Sequence, residues 1–224
     1  MSDMNSLTPT PVVTIDGVNE VARDRTTPSF WRYLYLGLGV FALLLVVNQV
    51  VKWLQPHAFA GTRLQAAAPA ADFQLATTAG KPMRLSDFRG KYVLLYFGYT
   101  YCPDACPLTL TDLADMMKLL GPAADDVQVI LVSLDPERDT VDHLASYLPH
   151  FHPNFLGMTG TIEEVLPVAT QFGIFYAKRS DAIGYTIDHT STVVVIDPEG
   201  RPQEVFPYGT TGEQMADDLR YLLR

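Results

Sequence analysis

The chain has 224 residues, enough for one ordinary globular domain once a hydrophobic stretch near the N-terminus is set aside. Its 16 Lys and Arg against 25 Asp and Glu give a formal charge of -9, the opposite of what phosphate-backbone binding asks for. No nucleic-acid partner is expected.

Residues 1–29 are rich in Thr, Pro, Ser and Asp without an apolar period, which predicts a disordered tail. From Tyr33 to Val51 the run YLYLGLGVFALLLVVNQVV carries no charge and is long enough to cross a hydrocarbon core of roughly 30 Å as a helix. Trp31, Tyr33 and Tyr35 at one end and Trp53 at the other suit the two interfaces, with Arg32 and Lys52 bracketing the run. A transmembrane helix is expected over 30–54. Arg23, Arg25 and Arg32 before it, against Lys52 and Arg63 after it, favour an inside N-terminus. Ala58-Phe59-Ala60 resembles a signal-peptide cleavage site, but the long polar segment before the span and the length of the apolar run favour a retained anchor. Residues 55–63 are expected to be linker and 64–224 the folded domain.

In that domain KYVLLYFG (91–98) and VQVILVSL (127–134) have the length and composition of buried strands. Between them Leu108, Leu110, Leu113, Met116, Met117 and Leu120 recur at near-helical spacing, and Gly121-Pro122 stops the helix. This is a β-α-β unit. A short helix is expected over Thr140 to Leu148, and Thr161 with Glu164 forms a capping box that opens another through Phe172. TVVVID (192–197), the turn Asp197-Pro198-Glu199-Gly200 and PQEVF (202–206) predict a hairpin, followed by a C-terminal helix with its own capping box. The order matches an α/β, thioredoxin-like domain, a central mixed sheet flanked by helices, with an extra segment before the first strand.

The only two cysteines, Cys102 and Cys106, sit four apart between a buried strand and a helix start. Pro107 fits the first helical turn, so Cys106 is placed at the helix N-terminus and Cys102 on the loop above it. A helix N-terminus favours negative charge and hence thiolate. Three readings remain open: a structural disulfide, a redox pair, and a soft-metal site. The bridge would close too small a loop to stabilise the domain much, and the spacing is one residue wider than the redox C-x-x-C. Two thiolates select soft metals, above all Cu(I), with an imidazole or thioether as third ligand.

Of the five histidines, His57, His143, His150 and His152 are expected to be solvated. His189 lies in YTIDHTS, the loop leading into TVVVID; in thioredoxin-like folds that loop faces the cysteine-bearing helix terminus, and here it holds no proline between Gly184 and Thr192. Asp188 is a candidate to orient the imidazole, and Asp104 to tune the thiolate or, more simply, to cap the helix. The methionines do not cluster as a copper relay and are expected in the core.

DFRGKYVLLYFGYTYCPDACP (Asp87 to Pro107), SLDPERDT (Ser133 to Thr140), the GMTGT segment from Gly157 and DHTSTVVVIDPEG from Asp188 together make the domain resemble the SCO/SenC copper proteins of respiratory membranes. The resemblance implies one copper ion per domain, as Cu(I) or Cu(II), on Cys102, Cys106 and His189. It implies delivery to the binuclear copper centre of cytochrome c oxidase subunit II, other periplasmic copper chaperones or thiol reductants as further partners, and no enzymatic turnover of a covalent substrate. Asp135 and Arg138, from the matching DPERD stretch, are expected near the site as a salt bridge shaping its loop. A thiol-disulfide reductase that keeps the oxidase cysteines reduced, with Cys102 and Cys106 as its redox-active disulfide, a thiol peroxidase and a docking sensor are the rival functions. The tail has little Arg-rich amphipathic character, which favours a bacterial cytoplasmic membrane over a mitochondrial inner membrane, with the domain on the periplasmic side.

Overall fold

The computed structural model describes residues 29–54, 57–65, 68–181 and 184–224, and the chain divides into two units, residues 1–56 and 57–224. The tail expected over 1–29 lies outside the described residues apart from Ser29. Helix α1, Ser29–Leu54, is 26 residues long, or about 39 Å at 1.5 Å per residue. Its stretch Phe30–Val51 has a mean hydropathy of 2.2 and no buried residue. By length and composition it is a candidate for a single membrane span, and none of this apolar stretch is buried among the described residues.

In the second unit the central strands are β4, Tyr92–Gly98, and β5, Val127–Ser133, which pair in parallel from Tyr92 with Val127 through Gly98 with Ser133. Their near-continuous apolar composition follows from burial on both faces. The sheet is completed by β1 (Thr62–Arg63), β2 (Gln74–Thr77), β3 (Met83–Arg84), β6 (Leu156–Thr159), β9 (Val193–Ile196) and β10 (Pro202–Phe206), in the order β1-β10-β9-β4-β5-β6-β2-β3. β6 runs parallel to β5, whereas β9 runs antiparallel to β4 and β10 antiparallel to β9. Helices α2 (Ala105–Leu120), α3 (Val141–Tyr147), α4 (Ile162–Gln171) and α5 (Gly212–Leu222) flank the sheet.

The cross-over helix α2 buries Cys106, Leu110, Leu113, Met116, Met117 and Leu120. Leu108, expected on that stripe, is instead exposed: it stands two residues from Leu110, about 200° around the helix. Gly121, at a φ of 58°, ends the helix in a conformation that a side chain would strain. At the opening of α5 a Cβ on Gly212 would lie 2.4 Å from the Asp112 carbonyl oxygen, so glycine there sets how closely α5 packs on α2. The expected capping boxes are present: Thr161 and Glu164 open α4, and Thr211 and Gln214 open α5.

Two differences from the sequence reading affect the site and the tether. First, β7 (Tyr176–Asp181) and β8 (Gly184–His189) form a separate antiparallel hairpin where only a loop had been expected. β8 does alternate, with exposed Gly184, Thr186 and Asp188 between the more buried Tyr185, Ile187 and His189, but the pattern is only six residues long and its polar partner β7 shows none. Second, the stretch expected as linker over 55–63 belongs to the fold from His57 on. β1 pairs with β10, His57 Nε2 lies 2.7 Å from Asp218 Oδ1, and the Ala60 and Gly61 N–H groups donate to Asp218 Oδ2. His57 also stacks on Tyr221 at 4.6 Å, so it is not the solvated histidine its position beside the span suggested. Small residues read as flexible by composition are used here because their backbone N–H groups come close to a buried carboxylate.

Glu204, fully buried beside Asp218, completes this cluster by accepting from the Gly61 N–H and facing Arg63 at 3.8 Å. Burial, then the charge of Asp218, raises its carboxyl to about 7. A raised acid stabilises the fold below its unfolded value near 4.5, and that contribution is lost as pH rises through about 7. We therefore expect wild type to lose up to about 3 kcal/mol between pH 4.5 and 7.5, at about 1.4 kcal/mol per pKa unit. Glu204→Gln should not show this loss. Urea unfolding across that pH range measures the difference.

Candidate metal centre

The end of β4 and the first turn of α2 create the site. β4 delivers the chain into Tyr99-Thr100-Tyr101-Cys102, and α2 opens at Ala105, so Cys106 lies in its first turn where N–H groups have no helical acceptor. The Cys106 N–H points at Cys102 Sγ, at 3.4 Å. Cys106 is buried and Cys102 half-buried, and neither is in a disulfide. The Cys106 thiol, with further help from the His189 ring and the Asp104 and Cys106 N–H groups, lowers the Cys102 thiol to about 3 against the cost of burial. The same contact, together with desolvation, pushes the Cys106 thiol up. The two sulfurs thus hold one negative charge between them, at the positive end of a helix.

His189 closes the site from the last position of β8. Its Nε2 is 3.5 Å from Cys106 Sγ, its Nδ1 donates to the Thr190 carbonyl at 3.2 Å, and its ring meets Tyr99 edge-on at 5.9 Å. The carbonyl holds the Nδ1 proton, so Nε2 is the nitrogen available to a metal. Among the described residues no three His, Cys, Asp and Glu side chains form a closed metal cage. Cys102, Cys106 and His189 are a looser set joined by pairwise contacts. The 3.5 Å between Cys106 Sγ and His189 Nε2 nonetheless fits an ion: metal bonds of roughly 2.3 Å to sulfur and 2.0 Å to nitrogen place the two atoms about 3.5–3.7 Å apart. Two thiolates and an imidazole make a soft donor set suited to copper.

The hairpin that carries His189 is fastened to the rest of the site by Arg138. Its guanidinium pairs with the buried Asp135 and lies 3.8 Å from the Tyr185 ring centre and 4.5 Å from that of Tyr101. Tyr185 in turn donates to Asp135 Oδ1 at 2.7 Å, and the Ile187 N–H donates to the Tyr99 hydroxyl at 3.2 Å. The DPERD stretch, the hairpin and the cysteine loop are therefore joined through one cation and three tyrosines. Asp139, fully buried, fixes the loop from below by accepting from the Thr100 N–H at 3.0 Å and from the Ser133 hydroxyl at 2.6 Å.

Asp188 does not serve the imidazole: it pairs with Arg179 across the hairpin and is exposed, because neighbouring residues of a strand point to opposite faces. Asp104 stands at the N-cap of α2, but its side chain makes no capping hydrogen bond, its backbone there being far from the usual cap conformation. His143, expected to be solvated, instead meets the Thr100 hydroxyl at 2.9 Å and stacks on Tyr101 at 5.7 Å, so it supports the loop without facing the sulfurs. The tyrosines around the site and Asp139 had no signal beyond their place in the quoted stretches. What makes them functional is the hairpin, whose one sequence signal is the short alternation of Tyr185, Ile187 and His189 in β8.

The family model described as SCO1/SenC matches residues 61–224. The bovine "Protein SCO2 homolog, mitochondrial" is 36% identical over 160 residues, which are 70% of this chain and 60% of that protein's length. The solution structure of apo Sco1 from Thermus thermophilus is 43% identical and superposes with a TM-score of 0.67, covering 74% of this chain and 98% of that one. Bradyrhizobium japonicum ScoI, solved with copper bound, is 35% identical with a TM-score of 0.64, covering 69% and 99%. A match over nearly the whole folded unit, cysteine loop and His189 hairpin included, means that this chain belongs to the SCO1/SenC family.

Proposed function

We propose that this chain is a membrane-anchored copper carrier. Its domain takes one copper ion on Cys102 Sγ, Cys106 Sγ and His189 Nε2 and passes it, by stepwise ligand exchange, to the binuclear copper centre of cytochrome c oxidase subunit II. The observation that carries this reading is the shared thiolate at the α2 N-terminus facing the available His189 nitrogen, 3.5 Å from Cys106. It is supported by the copper-bound relative of 35% identity. Copper is cargo here, and no bond of a covalent substrate is made or broken. Because Cys102 and His189 are partly exposed, incoming thiolates have access from that side to replace the ligands one at a time.

In this reading α1 holds the chain in a bacterial cytoplasmic membrane, N-terminus inside and domain on the periplasmic side. Tethering raises the effective concentration of the domain near an oxidase in the same membrane. Periplasmic copper chaperones and thiol reductants are proposed as the partners that load the site and keep its sulfurs reduced. A second reading, thiol-disulfide reductase, draws on one specific feature: a half-buried low-pKa Cys102 beside a buried Cys106 is the arrangement of an attacking and a resolving thiol.

Two measurements separate these. Anaerobic titration of the reduced full-length protein in detergent with Cu(I) should give one equivalent bound by wild type. His189→Ala should bind more than about 100-fold more weakly, since even the outer partners of a metal ligand are worth roughly 10–100-fold. Undiminished binding by His189→Ala, together with turnover of a disulfide substrate, would establish the reductase instead.

Alkylation by iodoacetamide tests the charge distribution. At pH 5, two units above the Cys102 value of about 3, the apo protein should be modified at Cys102 with Cys106 protected. Peptide mapping after brief labelling reads this out. Equal modification of both thiols, appearing only above pH 8, would contradict a shared thiolate.

A further inference from the structure

Beneath the sulfurs lies a group that neither the fold nor the ligand set explains. Tyr96, on β4, is fully buried, and its hydroxyl has no hydrogen-bond partner among the described residues. Leaving a buried donor unsatisfied costs stability, and phenylalanine would fill the same volume without that cost. The position of the ring is fixed by Gly98. A Cβ on that glycine would lie 2.9 Å from Tyr96 Cε1, 3.3 Å from Cζ and 3.0 Å from Cys106 Sγ. The phenol end and the Cys106 sulfur therefore crowd one spot, which the missing side chain of Gly98 leaves open to them.

The Thr109 hydroxyl, beside the phenol, donates to the Ala105 carbonyl at 2.9 Å and makes no hydrogen bond to the phenol. A neutral thiol is a weak acceptor, so an uncharged Cys106 makes little demand on the phenol. A sulfur bound to a metal is deprotonated outright and, at a position as buried as Cys106, needs a donor.

Building on the copper-carrier reading, we propose that Tyr96 is a positioning residue for the metal site: its hydroxyl donates to the Cys106 sulfur when that sulfur holds copper. No electron or proton is transferred. The hydrogen bond draws charge from the sulfur, fixes its orientation and biases the buried member of the pair toward its bound form. Cys102, which is half-buried and receives N–H groups from α2, has no need of such a partner, so the two cysteine ligands are unequal. The sulfur released first in ligand exchange is then that of Cys102.

The test compares full-length wild type and Tyr96→Phe in detergent, reduced and anaerobic, by Cu(I) competition against a colorimetric chelator. The sulfur-to-copper charge-transfer band of the Cu(II) form and the apo melting temperature are recorded alongside. The expected result is one copper in each protein, about tenfold weaker affinity in Tyr96→Phe, as for a lost hydrogen bond to a charged group, and a shifted band. The variant's apo melting temperature should be equal to or above that of wild type, because an unsatisfied hydroxyl has gone. Equal affinity and an unmoved band would overturn the role of Tyr96 while leaving the carrier reading intact. A lowered melting temperature with unchanged copper spectra would make the hydroxyl structural. Failure of wild type itself to bind copper would overturn both.

Discussion

One negative charge shared by two sulfurs at the N-terminus of α2 is the constraint around which this domain is arranged. The contact with the Cys102 sulfur, and then burial among β4 and α2, make ionisation of Cys106 unfavourable, so the charge settles on Cys102. The helix end, with N–H groups that no helical carbonyl accepts, is what makes that charge tolerable. Moving Cys106 one turn further into α2 would put it out of reach of those groups. The β-α-β unit, with its two strands buried on both faces, holds that helix start in place.

The third ligand is a long-range matter. His189 stands 83 residues beyond Cys106 and reaches it because the β7–β8 hairpin leans over the loop. Such a two-stranded ribbon has little stability alone. Here its anchorage comes from Arg138, whose charge is satisfied by the buried Asp135 and whose face is covered by the rings of Tyr185 and Tyr101. Copper chemistry and hairpin packing are thus linked: what positions the imidazole is a cation sandwiched between the DPERD stretch and aromatic rings from the other two segments.

The same economy appears where the domain begins. The His57–Asp218 contact and the β1–β10 pairing hold the first residues of the domain to the sheet edge and to α5. The fold of the second unit therefore starts at His57.

The sequence alone determined the elements whose signals are local. Apolar runs, capping boxes, the Gly121-Pro122 stop and the uncharged stretch before Val51 depend on neighbouring residues, and each appears where the pattern puts it. The ligand candidates were legible for the same reason, since cysteines four apart between a strand and a helix need no tertiary information. Tertiary structure decided the rest. That Asp188 pairs with Arg179 instead of the imidazole, that His143 supports the loop and His57 the domain edge, and that the Tyr96 ring comes beside the Cys106 sulfur all depend on which surfaces meet. A hairpin in which only the six residues of β8 alternate, and a small-residue stretch lying on buried carboxylates, give periodicity little to read, because what stabilises them is contact with parts of the chain some fifty residues away in one case and more than a hundred in the other.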